Sequence, residues 1–181
     1  MSLKKCLVGT LIFALLISVV FSVCLAGIKA GDMAPEFKVV SGDNEILGLE
    51  DIKGKLAVIF YETKDTTEKN RQLKDELNRF YDKQPDRAKK LILRISVINC
   101  EGVIFKAAWR NSLKQSSIKE GITIYGDWDG KMFDAYGIKD RESNLIIIGR
   151  DGKVKYSFAG RAQEKDFGNI RELLKREAGS Q

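Results

Sequence analysis

Asp65, Thr66, Thr67 and Glu68 place two carboxylates and two hydroxyls within one turn of chain, and Cys100 adds a thiol further on. Two acids three residues apart at a helix start can do one of two things. Paired carboxylates carry out acid–base chemistry when an apolar pocket raises the pKa of one of them, and nothing around positions 65–68 supplies that pocket. Asp-x-x-Glu is also a capping-box pattern. Asp65 would accept from the amide near Glu68, and Glu68 would reach back to the amide of Asp65. Both acids suit the positive end of the helix dipole as well. The local reading accounts for the pattern unaided, and capping leaves the same residues free to line a binding groove.

Cys100 is the one thiol outside the amino-terminal segment, since Cys6 and Cys24 both lie within the first 26 residues. A reactive thiol needs its pKa lowered by a cation or a helix amino end. Glu101 works against that, and a helix beginning near Val103 works for it. The ordinary role of a free cysteine is that of a small buried hydrophobe, with thiol reactivity or a disulfide-linked dimer as the alternatives. The chain contains no histidine, which removes His-liganded metals, Ser-His-Asp hydrolysis and His-activated cysteine chemistry. "DWDG" at 127–130 begins like a calcium loop. Lys131 and Ile138 then stand where oxygen ligands are required, so it reads as a turn. Neither a metal site nor a cofactor is expected.

The elements that must position these residues follow from hydrophobic spacing. "LAVIFYE" (56–62) is a continuous β-prone run suited to a strand covered on both faces. Leu73, Leu77, Phe80 and Tyr81 form one stripe of a helix from about Thr66 to Lys83, closed by Pro85. "LILRISVI" (91–98) reads as a second buried strand. Phe105, Ala108, Trp109, Ser112 and Leu113 space as a second amphipathic helix. Residues 122–138 hold a short strand, a Gly-rich turn and a brief helix. "NLIIIG", the turn "RDGK" and "VKYSFAG" signal a hairpin whose second strand, 154–159, lies half exposed at an edge. Phe167, Ile170 and Leu174 support a closing helix. Preceded by a turn-rich opening segment at 31–55, the order is β-α-β-α-β-β-α, an α/β sandwich with a mixed central sheet.

The first 26 residues read as an export signal: Lys4 and Lys5, an apolar run, then small residues ending at Ala26. Ala30 is a second cleavage choice. Cys24 lacks the small residue expected immediately upstream of a lipid attachment site. The apolar stretch 7–28 is also long enough to serve as an uncleaved membrane anchor. Either way the domain is expected outside the cytoplasm, in the periplasm. Beyond residue 26 there are 29 basic and 25 acidic residues, a net +4. These charges are interspersed, "RAKKLILR" being the densest basic patch. That describes a solvated surface, and no nucleic-acid partner is expected.

With these motifs in this order, residues 31–177 resemble the thioredoxin fold and, more closely, its redoxin branch. The resemblance rests on "GDMAPEF", "DIKGKLAVIFY", "YGDWDGKMFDAYGI" and "IIIGRDGKVKYSFAG". It implies a thioredoxin-like three-layer sandwich with helices flanking the sheet. It also implies a Cys-x-x-Cys pair where Asp65 and Glu68 stand, and a cis-proline at or beside Ser143. Both hallmarks are missing, and a carboxylate cannot replace a thiolate in disulfide exchange. The chain is similar to the YtfJ-type periplasmic proteins through "TTEKNRQL", "ISVINCEG" and "RESNLIIIGRDGKV".

The leading expectation is therefore a non-catalytic binding or adaptor domain that meets protein partners of the cell envelope. It would use a groove of Asp65, Thr66, Thr67, Glu68, Ser143 and Asn144, or the edge strand 154–159. The alternative is a redoxin-type thiol peroxidase or oxidoreductase using Cys100. A third expectation is structural support within a larger envelope assembly.

Overall fold

The computed structural model describes residues 27–179; the proposed export signal and its cysteines lie outside them. A seven-stranded mixed sheet runs in the order β2-β1-β5-β4-β3-β6-β7. The strands are β1 (Lys38–Ser41), β2 (Ile46–Gly48), β3 (Leu56–Glu62), β4 (Ile92–Asn99), β5 (Ile124–Asp127), β6 (Asn144–Ile148) and β7 (Val154–Ala159). The helices are α1 (Arg71–Asp82), α2 (Asp86–Lys89), α3 (Lys106–Glu120), α4 (Lys131–Tyr136) and α5 (Glu164–Ala178).

β3 sits at the centre, parallel to β4 and antiparallel to β6. All seven of its residues are buried, as a continuous apolar run with layers on both faces requires. Leu56, Val58 and Phe60 face a core built with Leu73 and Leu77 of α1 and Phe167, Ile170 and Leu174 of α5. Ala57, Ile59 and Tyr61 face the opposite core with Phe37, Met132 and Tyr136. β7 lies at the sheet edge as expected. Residues 28–32 partly cover it: the Val154 amide donates to Asp32 O, and Ser157 Oγ donates to Ile28 O.

Two local expectations need correction. The first helix begins at Arg71, not Thr66, because residues 64–66 form a separate 3₁₀ turn. The second amphipathic helix does form, but of its apolar stripe only Leu113 is buried; Phe105, Ala108 and Ser112 remain exposed. A third cluster holds α3 to the sheet through Leu113 with Ile98, Cys100 and Ile124, and Trp109 packs beside it. Gly42 lets the β1–β2 turn meet α3 from the other side. A Cβ there would lie 2.5 Å from Arg110 O and 2.7 Å from the Lys114 amide nitrogen. No helix among the described residues is long and apolar enough to cross a membrane.

Candidate functional site

The turn that leaves β3 is tied locally, by different residues from the pair expected. Thr63 is the N-cap, and Thr66 Oγ1 accepts from the Thr63 amide at 2.9 Å. Asp65 is exposed, and Glu68 engages Arg71 at 2.6 Å instead of reaching back to Asp65. The capping box therefore exists two residues upstream of the Asp-x-x-Glu pattern. Asp65 lies inside the 3₁₀ turn 64–66, and the helix proper does not begin until Arg71, so the amide geometry that Asp65 needed is absent.

The groove residues divide into two groups. Thr66, Ser143 and Asn144 are buried, and Thr67 is half-buried. The 141–144 loop does meet the helix approach. Thr66 Oγ1 reaches Glu142 O at 3.4 Å, and Lys69 Nζ donates to Arg141 O and Glu142 Oε2 at 2.8 and 2.7 Å. Asn144 Oδ1 accepts from the Lys139 amide while its Nδ2 donates to the Lys139 and Glu142 carbonyls. These bonds fill the seam between loop and helix with the protein's own polar groups.

Beneath the seam lies a network that sequence reasoning missed. Glu62, the last residue of β3, has a side chain with 0% exposure. Its Oε1 accepts from Ser143 Oγ at 2.6 Å, and its Oε2 pairs with Lys74 Nζ at 2.5 Å. Lys74 also donates to Thr67 O at 2.9 Å and lies over the Phe60 ring. Burial pushes the Glu62 carboxyl above its usual range, and Lys74 and Ser143 pull it back. The available signal was a glutamate closing a wholly apolar strand, with Lys74 on the inner stripe beside Leu73 and Leu77. A buried strand end and a buried helix face must pair such charges.

A second buried pair sits on the other face. Tyr61 Oη donates to Asp127 Oδ2 at 2.9 Å, and the Phe133 amide donates to the same oxygen. Asp127 Oδ1 has no hydrogen-bond partner among the described residues. Burial raises the Asp127 carboxyl, and burial followed by Asp127 raises the Tyr61 hydroxyl. The DWDG turn thus starts with a structural carboxylate. No group of three or more His, Cys, Asp or Glu is placed to hold a metal among the described residues.

Cys100 has 0% exposure and packs with Ile98, Leu113 and Ile124. Desolvation by burial, with Asp127 adding to it, pushes the thiol up to about 12.

Open space lies elsewhere. Between α1 and α3, over β3, β4 and β5, is a cavity of about 560 Å³. Its floor is Val58, Phe60, Ile98 and Ile124, with Leu77 and Leu113 on the flanks. Thr67 and Glu68 stand at one end, above Glu62 and Lys74. Arg71 crosses from α1 to Glu120 of α3 at 2.8 Å, with side chains 38% and 32% exposed. A pair this exposed contributes about 0.2–1 kcal/mol, so it fastens the two helices only weakly.

Residues 30–157 match the AhpC/TSA family. The chain belongs to that family. Among AhpC/TSA relatives, Peroxiredoxin 1 of Brugia malayi is 24% identical over 169 residues, spanning 83% of this chain and 72% of its own length. A structure described as the thiol:disulfide interchange protein DsbE of Chlorobium tepidum superposes with a TM-score of 0.64 at 19% identity, covering 84% of this chain and 99% of that one. The thiol peroxidase of Chromobacterium violaceum gives 0.61 at 18% identity, covering 86% and 93%. The fold of this AhpC/TSA member is thus α/β and thioredoxin-like. Among the described residues its thiol is Cys100, in an apolar cluster, while Asp65 and Glu68 occupy the positions where the redoxin resemblance implies cysteines.

Proposed function

We propose that this redoxin-family domain works by binding and not by thiol chemistry, and that its ligand site is the cavity between α1 and α3. The observation that carries the reading is the state of Cys100: fully buried, among apolar side chains, with its thiol pushed up to about 12. A thiol so buried and so raised stays protonated near neutral pH and out of reach of solvent, which opposes fast attack on a peroxide or disulfide. Thr67 and Glu68, two of the groove residues expected to bind, sit at one end of the cavity. Placement in the periplasm rests on the amino-terminal signal pattern and on the similarity to YtfJ-type proteins.

The test is thiol titration with an aromatic disulfide, native and in denaturant, alongside peroxide consumption from pH 6 to 9. The binding reading expects a thiol that reacts only after unfolding and no peroxide turnover. Fast native labelling with saturable peroxide consumption, abolished in Cys100→Ser, would overturn it. That outcome would establish the second reading, a single-cysteine thiol peroxidase. Family membership and the similarity to Peroxiredoxin 1 of Brugia malayi favour that reading.

A further inference from the structure

We infer that the cavity between α1 and α3 takes a single-chain amphiphile with an anionic head, its chain on the apolar floor and its head between Lys64 and Lys119. The inference rests on the reading of the domain as a binding protein and names its ligand class.

Shape comes first. The apolar floor of Val58, Phe60, Ile98 and Ile124 crosses β3, β4 and β5, two inter-strand spacings or about 10 Å at ~4.8 Å each, a length suited to a medium acyl chain. The volume of about 560 Å³ lies within the ~300–1,000 Å³ of small-molecule pockets. The far wall is α3, which turns Ala108, Trp109, Ser112 and Ser116 to the opening while burying only Leu113. This face of the helix is left uncovered by the rest of the fold. Phe105, 77% exposed, stands at the same opening.

Charge selects the head. The lining holds five cations, Lys64, Arg71, Lys74, Arg94 and Lys119, against three carboxylates, Glu62, Glu68 and Glu120, a surplus of two. Lys74 is engaged by Glu62, and Arg71 by Glu68 and Glu120. Arg94 donates to Asn78 and stacks on Tyr81. Lys64 and Lys119 line the cavity and make no ion pair within 4 Å among the described residues. Lys64 lies four residues before Glu68. Lys119 adjoins Glu120, which Arg71 joins to Glu68, and acts on both carboxylates only at longer range. A neutral chain would leave that surplus unused, and a cationic head would be repelled by it. An apolar bed ending in two unpaired ammonium groups matches one ligand chemistry best, an apolar tail with an anionic head.

Trp109 in the wall supplies a built-in reporter. The purified protein is titrated with decanoate, decyl phosphate, decanol and decyltrimethylammonium, followed by calorimetry and tryptophan emission. One-to-one saturable binding of decanoate or decyl phosphate is expected, at least tenfold tighter than decanol or the cation. The tighter of the two anions tells a carboxylate source from a phosphate one. The double variant Lys64→Glu/Lys119→Glu should weaken the anions tenfold or more and leave decanol unchanged. Ser112→Trp, on an exposed position, should abolish binding of all four without moving the unfolding midpoint. Absence of saturable anion binding, equal binding of the cation, or anion binding that survives Ser112→Trp overturns the inference. A reactive Cys100 would defeat the broader binding reading whatever these titrations give. A silent titration with an inert Cys100 defeats this assignment alone.

Discussion

Replacing Lys74 with methionine keeps most of the side-chain volume and removes the cation that answers Glu62. The Glu62 side chain has 0% exposure and that of Lys74 18%, so the variant strands a carboxylate that retains only the Ser143 hydroxyl. Removing one partner of a buried ion pair costs ~3–5 kcal/mol. The partial exposure of Lys74 and the surviving hydrogen bond place the loss at the lower end, about 3 kcal/mol. In a domain of this size that is a drop of roughly 6–12 °C in Tm. The pH dependence has a definite sign. Burial already raises the Glu62 pKa, with Lys74 the leading opposing influence, so the variant raises it further. A carboxyl with a raised folded pKa holds a proton that the unfolded chain has released. Stability therefore falls as pH climbs from the ordinary glutamate range through the folded value, then levels off. The deficit of Lys74→Met should be largest at pH 8 and should shrink as the pH is lowered toward and below the raised folded value. Urea unfolding at pH 8 and at successively lower pH measures this. The double variant Lys74→Met/Glu62→Gln, with both charges gone, should recover most of the loss. A deficit under about 1 kcal/mol at pH 8, or one that does not shrink as the pH is lowered, would refute the claim that Glu62 is buried and charged through Lys74.

Thr66→Val should cost about 1 kcal/mol in urea unfolding, because it removes the acceptor for the Thr63 amide. Asp65→Ala should leave the midpoint unmoved, and the reverse ranking would restore the Asp-x-x-Glu capping box. Gly126→Ala should cost ~1–3 kcal/mol by overpacking, since a Cβ there would lie 2.7 Å from Trp128 Nε1 and 3.0 Å from Cys100 Sγ. It should also disturb the Trp128 bond to Val40 O, measurable as a shift in tryptophan emission, and raise the rate of Cys100 labelling. Unchanged emission and unchanged labelling would mean that the Cys100 cluster is looser than it is drawn.

The strands and the closing helix were legible because their signals are periodic and local. "LAVIFYE" is buried on both faces throughout, and Phe167, Ile170 and Leu174 fall on one face of α5. Less legible was anything decided by a partner distant in sequence. Asp65 and Glu68 carry a capping pattern, but the chain bends through a 3₁₀ turn held by Thr63 and Thr66, and Glu68 finds Arg71 instead. Ser143 reads as a polar loop residue until Glu62 appears beneath it, 81 positions away. The stripe on α3 was real in spacing and misleading in consequence. Periodicity shows which residues share a face, but not whether anything stands opposite, and opposite α3 is a cavity.

That cavity and the missing cysteines bear on each other. A thiol-exchange site must keep sulfur exposed at the start of the helix after β3, with room for a second protein to approach it. Here Asp65 and Glu68 stay exposed but bring carboxylates in place of sulfur, and Thr66, Lys69 and the 141–144 loop close the seam beside them. The charge beneath it is spent on Lys74 and Ser143. A ligand that reached Glu62 itself would have to break a buried network whose removal costs kilocalories. Between α1 and α3 the ion pair that spans the gap, Arg71–Glu120, is partly exposed and contributes about 1 kcal/mol at most. The open volume of the fold thus lies between the two helices, while the polar groups of the 141–144 seam are already occupied by one another. A ligand entering that volume meets an apolar floor with Lys64 and Lys119 in its lining, which is why the proposed binding site is set beside Asp65 and Glu68 and not upon them.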